Sequence, residues 1–172
     1  MRIWLTLLVA GVVATAALRP SPALAGVPRC SESALVASLV GAGVGTGHAH
    51  AHVYLRNAGS RPCTLEGYLR FRLETAQRRV QPSRVVRGST YFERDAGPRE
   101  IVLDRGARAV ADLAWTEIAG PDEPHSGACE PPSAWLEVMP PGARTQLLVP
   151  FRATVCDRGH LDTTALSKAP TR

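Results

Sequence analysis

Lysine and asparagine are almost missing from this 172-residue chain: Lys168 and Asn57 are the only ones, against nineteen arginines. With alanine, glycine, proline and valine abundant, that skew matches a GC-rich coding sequence and carries no functional message. Also missing are the short patterns that announce catalysis. There is no G-x-S-x-G, no H-E-x-x-H and no glycine-rich phosphate cradle, so the chain reads as a non-enzyme with no cofactor. No C-x-x-C occurs, which removes the commonest redox and zinc spacings. Only one aromatic pair, Tyr91-Phe92, interleaves the arginines between Glu74 and Arg99, too little for a stacking platform on single-stranded nucleic acid. That arginine-rich stretch reads as a solvated loop, with an anionic polymer as the alternative contact. Past the first two dozen residues, no segment is apolar enough to span a membrane.

The chain does carry a processing signal, residues 1–25. Arg2 gives a basic start, Trp4 to Leu18 is uncharged and mostly apolar, and Ala23-Leu24-Ala25 forms an A-x-A cleavage site before Gly26. Cys30 lies five residues past Ala25, so release is expected rather than a lipid anchor. Removing Arg2 and Arg19 lowers the formal charge from +5 to +3, too mild a balance to argue for nucleic acid. The expected product is a secreted monomer, extracellular or bound to the cell wall, with an unidentified envelope or extracellular partner. Its organisation is a single domain over 26–166 and a disordered tail over 167–172.

All four cysteines, Cys30, Cys63, Cys129 and Cys156, follow the signal. An even number in an exported chain implies disulfides. Three connectivities are possible; Cys30–Cys63 and Cys129–Cys156 are favoured because each closes a moderate loop between neighbouring strands.

Helical periodicity is poor, and turn residues recur every few positions. Ser33 to Val40 is an apolar run, strand or short helix. The four glycines of 41–47 predict a loop. His48 to Arg56 alternates as a strand, with Ala49, Ala51, Val53 and Leu55 inward and His48, His50, His52, Tyr54 and Arg56 outward. Asn57-Ala-Gly-Ser is a turn, and Cys63 to Leu73 reads as one strand with a bulge at Gly67. Ile101 to Leu103 is a short strand. Ala107 to Trp115 alternates again, with Arg108, Val110, Asp112 and Ala114 on its second face. Glu117 to Ser133 is a proline-rich loop held at Cys129. Trp135 to Met139 and Gln146 to Val155 pair around Pro140-Pro141-Gly142, and His160 to Leu166 adds an edge strand. The fold class is all-β: an immunoglobulin-like antiparallel β-sandwich with two disulfides.

Several phrases carry a resemblance. They are Asn57 to Cys63-Thr64-Leu65-Glu66-Gly67-Tyr68; Val102-Leu103-Asp104-Arg105-Gly106-Ala107 leading to Ala111-Asp112-Leu113; Leu136 to Gly142; and Cys156. Together they resemble the secreted actinobacterial domain-of-unknown-function family numbered 4232, from Cys30 to about Leu166. Leu69 stands where that family usually has proline, and Asp104-Arg105-Gly106 replaces a proline-containing turn. The resemblance implies an all-β exported domain and transfers no catalytic residue.

Three functions follow from the pattern. The first is a binding or structural module of the cell exterior. The second is a transition-metal binder through His48, His50 or His52. Side chains at i and i+2 on a strand lie about 6.6 Å apart, so His50 with one neighbour and ligands from another strand would form the site, whereas His48 and His52 are roughly 13 Å apart. The bland alternative leaves all three imidazoles facing water. The third is a protease inhibitor presenting the loop stapled by Cys129. His125-Ser126 and the acids Asp122, Glu123 and Glu130 in that loop have the right chemistry for acid–base work but no evident scaffold.

Overall fold

The computed structural model describes residues 26–121, 123 and 129–170. The expected signal segment therefore lies outside the described residues, as do Asp122, His125 and Ser126. After a 3-10 turn at Glu32–Ala34, eleven strands follow among the described residues: β1 (Leu35–Gly45), β2 (His48–Asn57), β3 (Cys63–Leu65), β4 (Arg70–Glu74), β5 (Arg84–Arg87), β6 (Ile101–Leu103), β7 (Arg108–Thr116), β8 (Ser133–Met139), β9 (Leu147–Ala153), β10 (His160–Thr163) and β11 (Ser167–Lys168). No helix among the described residues is long and apolar enough to cross a membrane.

The large sheet has the order β1-β2-β7-β10-β5, with β11 also on β7. A three-stranded sheet, β4-β8-β9, and the β3-β6 ribbon complete the architecture. All pairings are antiparallel except β10 with β5. The inward residues of β2 and β7 (Ala49, Ala51, Val53 and Leu55; Ala109, Ala111, Leu113 and Trp115) join Phe71, Leu73, Leu136, Val138, Val149 and Phe151 in one apolar core. The Trp115 ring of the large sheet and the Phe151 ring of the three-stranded sheet meet edge to face at 5.0 Å. Each fully buried leucine, such as Leu55, Leu113 or Leu136, contributes about 1.5–3 kcal/mol by leaving water. The two disulfides are Cys30–Cys63, which ties the N-terminal segment to β3, and Cys129–Cys156, which ties the long loop to the segment before β10.

The structure departs from the sequence expectations in five places. The glycines of 41–47 do not form a long loop: β1 runs to Gly45, and the turn shrinks to Thr46-Gly47, with φ of 50° and 77°. Positive φ at both central residues is the geometry of a type I′ hairpin. A Cβ on Gly47 would also lie 2.1 Å from the Ile118 Cδ1. The expected single strand over Cys63–Leu73 is two, β3 and β4, which enter different sheets on either side of Gly67. The irregular arginine-rich stretch contains β5, and two of its arginines are ion-paired, Arg78 to Glu74 and Arg84 to Asp157. The C-terminal strand is not at an edge; β10 sits between β7 and β5. Finally, the tail expected from 167 begins as β11, paired through Ser167–Val110 and Lys168–Ala109, and Ala169 is buried. It stays ordered because β10 covers only Leu113 to Trp115 of β7 and leaves the rest of that edge for a second short strand.

Candidate functional site

The outer face of the large sheet is where polar chemistry converges. Antiparallel register places His52 of β2 directly across from Asp112 of β7, with His50 across from Ala114 and diagonal to Asp112. Cross-strand partners have Cβ atoms about 5 Å apart, so these three side chains meet without any special loop. Asp112 sits where the ladder of β7 is interrupted. Between β10 and β11 the chain keeps one backbone bond to β7, from Thr164 N–H to Asp112 O at 3.1 Å, while Thr164 Oγ1 accepts the Asp112 N–H at 3.0 Å.

The Asp112 side chain is 3% exposed. His50 Nδ1 lies 2.7 Å from its Oδ1, His52 Nε2 lies 3.9 Å from the same oxygen, and the Thr90 hydroxyl donates to Oδ2 at 2.6 Å. Both ion pairs that Asp112 makes among the described residues are thus to imidazoles. Burying a carboxylate is costly unless positive charge and hydrogen bonds surround it, so this cluster determines the local structure.

A strap formed by residues 89–95 closes over the histidines. Phe92 stacks on His50 at 3.9 Å and Tyr91 stacks on His48 at 4.4 Å. The strap is tied by Thr90 to Asp112 and by Asp95, whose carboxylate accepts from the Tyr68 hydroxyl at 2.6 Å and from Ala165 N–H at 2.8 Å. Burial acts to raise the Asp95 pKa, but the Tyr68 hydroxyl and the backbone N–H groups of Ala165 and Gly97 outweigh it and hold the carboxyl below its ordinary range. Tyr68 is correspondingly held above the usual phenol value by its bond to Asp95.

The strap corrects one expectation: the imidazoles do not simply face water. The His50 side chain is 11% exposed and that of His52 is 34% exposed. The glycines of β1 make this burial possible. Gly43 pairs with His50, and a Cβ there would stand 3.3 Å from His50 Nε2. A strand glycine at a close approach replaces the side chain that would push the ring away.

Of the three strand histidines, the structure brings together His50 and His52, with Asp112 as the ligand-bearing partner from a second strand; these three could hold a metal ion. His48 turns instead toward a different cavity, which it shares with Thr116, Ile118, Asp157, His160 and Asp162. Beside the Asp112 cluster is a cavity of about 430 Å³, walled by His52, Tyr54, Arg94, Val110, Thr164 and Leu166 among others. Glu123, Cys129 and Cys156 also lie close together, but both sulfurs are committed to the disulfide. Sequence alternation had already put Asp112 on the outer face of its strand. It gave no sign of Thr90 or Phe92, because the strap reaches the sheet from more than 20 residues away in sequence.

The protein is therefore an all-β domain, closed by two disulfides, that buries a histidine–carboxylate cluster under a strap on its largest sheet. Its sequence matches the family described as Domain of unknown function (DUF4232) over residues 30–170, and the chain belongs to that family. No curated protein and no solved structure matches it. The residues on which the resemblance rested have structural roles here. Asn57 is a buried hydrogen-bond knot, Cys63 is bridged to Cys30, the Gly67 carbonyl accepts from Leu166 N–H, and Tyr68 anchors the strap. Leu69 is fully buried as the chain crosses from β3 to β4.

Proposed function

We propose that the protein is an exported, non-enzymatic binding module of the cell exterior that takes a small ligand at the cavity beside Asp112. The observation that carries this reading is a buried carboxylate on β7, surrounded by two histidines of β2 and the Thr90 hydroxyl of the strap, at the wall of a cavity of about 430 Å³. That volume lies within the range of small-molecule sites, and its lining mixes apolar surface (Val110, Leu166 and the Tyr54 ring) with a few fixed polar groups. Export is supported by the two disulfides and by the apolar N-terminal run ending in Ala23-Leu24-Ala25.

Binding is preferred to hydrolysis for a geometric reason. His50 and Asp112 form the orienting half of a nucleophile–histidine–carboxylate relay, but His50 Nε2 faces Gly43, where no nucleophile can stand. The test is a fragment library screened by amide chemical-shift mapping. Hits should perturb Tyr54, Val110 and residues 164–167. Fragments that bind only elsewhere, or turnover of chromogenic ester, glycoside or peptide substrates, would overturn the reading.

A further inference from the structure

We propose that His50, His52 and Asp112 form a transition-metal centre, with Zn²⁺ or Cu²⁺ as its ion. This names the ligand class of the site above and so rests on that site being a binding site. Ligand chemistry comes first. Two imidazole nitrogens and one carboxylate oxygen suit zinc, copper or nickel, whereas magnesium and calcium prefer all-oxygen shells.

Geometry agrees. At bond lengths of about 2.0–2.1 Å, tetrahedral ligand atoms stand about 3.3 Å apart. Here His50 Nδ1 and His52 Nε2 lie 2.7 Å and 3.9 Å from Asp112 Oδ1, on either side of that spacing, so small side-chain adjustments bring both nitrogens to ligand distance of an ion at Oδ1. The ligand atoms of the three residues all fall within 4.8 Å of one another.

The surroundings are those of a prepared site. Phe92 stacks on His50 with an interplanar angle of 6° and fixes the ring plane. The Thr90 hydroxyl occupies Asp112 Oδ2, which leaves Oδ1 for the ion and holds the carboxylate in orientation. His50 Nε2 faces Gly43, so the nitrogen presented to the cluster is Nδ1. His52, the most exposed ligand, also walls the adjacent cavity, as does Asp112, so the fourth coordination position opens toward it. Three protein ligands with one open position describe a site that exchanges its ion or holds a further ligand, not a closed structural site. A divalent ion would also supply positive charge to a carboxylate whose side chain is only 3% exposed.

The test uses the untagged protein titrated calorimetrically with ZnCl₂, CuCl₂ and MgCl₂. The expected result is one site per chain for zinc or copper and no binding of magnesium. His52→Ala, at a half-exposed position, should fold normally and weaken affinity at least about tenfold, whereas His48→Ala should change it less than about twofold. The Cu²⁺ electron paramagnetic resonance spectrum should show two nitrogen ligands in the wild type and one in His52→Ala. Affinity no tighter than that of the His50→Ala/His52→Ala double variant, or equal losses for His48→Ala and His52→Ala, would overturn the proposal. Fragment binding at the cavity would then separate the two failures: if fragments still map there, the metal assignment alone falls; if they do not, both readings fall.

Discussion

Replacing Asn57 by aspartate changes one NH₂ into an oxygen, yet it should be among the most damaging substitutions in the molecule. Asn57 is fully buried. Its Nδ2 donates to the carbonyls of Arg61 and Leu103, both at 2.9 Å, and its Oδ1 accepts the Gly59 N–H at 2.9 Å. Its backbone bonds to Ala107 O at 3.0 Å and to Gly106 N–H at 2.7 Å. One side chain thus holds the end of β2, the approach to β3 and the end of β6 together. In Asn57→Asp, two carbonyl oxygens would face a carboxylate with no proton between them. Two hydrogen bonds of about 1 kcal/mol each disappear, and a buried charge is left uncompensated, for a total loss of about 3–5 kcal/mol at neutral pH. For a domain of this size that lowers the melting midpoint by roughly 8–15 °C.

The pH dependence has a defined sign. Burial beside two carbonyls raises the new carboxyl's folded-state pKa above its unfolded value of about 3.9. The penalty is therefore small below that value and grows as pH rises through the folded-state value. Protonated, the group regains one donor, so the loss at pH 4 should be smaller by about 1–2 kcal/mol. Asn57→Ala removes the same bonds without adding charge and serves as the pH-independent control. Urea unfolding of wild type and both variants at pH 7.5 and pH 4 measures all of this. If Asn57→Asp costs under about 1 kcal/mol at pH 7.5, or tracks Asn57→Ala at both pH values, the hydrogen-bond account of this position is wrong.

Two further outcomes are expected. Replacing either cysteine pair by serine should destabilise the fold by about 3.5–4 kcal/mol on the chain-entropy estimate, since the bridges close sequence separations of 33 and 27 residues; chemical denaturation under non-reducing conditions reads the loss. On the outer face of the three-stranded sheet, burial and the bond to Glu74 raise the Glu137 pKa, while the bonds from Glu137 and Arg78 lower that of Glu74. A raised carboxyl contributes stability below its unfolded-state pKa and loses it as pH rises through its folded-state value. Glu137→Gln keeps a donor toward Glu74 without that titration, so its stability relative to wild type should improve from pH 4.5 to pH 8; a difference that does not change with pH would refute a raised Glu137 carboxyl.

How much of this could be read from the chain itself depends on what each residue reports. The alternation of His48 to Arg56 and of Ala107 to Trp115 gave two central strands, their inward faces and the outward place of Asp112, because period-two burial is written locally. The cysteine pairings were likewise favoured from spacing. What failed was information held by partners. The glycines of β1 looked like a loop because glycine has no side chain to show a pattern; the His50 ring beside Gly43 and the Phe92 ring beside Gly45 show what two of them make room for. Gly67 marked a bulge in the sequence but is a crossing point between sheets. The place of β10 between β7 and β5 follows from pairings with residues far away in sequence. Nothing local signals that Thr90 will reach Asp112.

The position of β10 governs the order of assembly. A chain that emerges N-terminus first can bring β1, β2 and β7 together early, but β5 has no partner until residues 160–163 arrive to lie between it and β7. The largest sheet therefore closes only when nearly the whole polypeptide is present, and closure joins segments some 75 residues apart. Such long-range registration makes for slow folding.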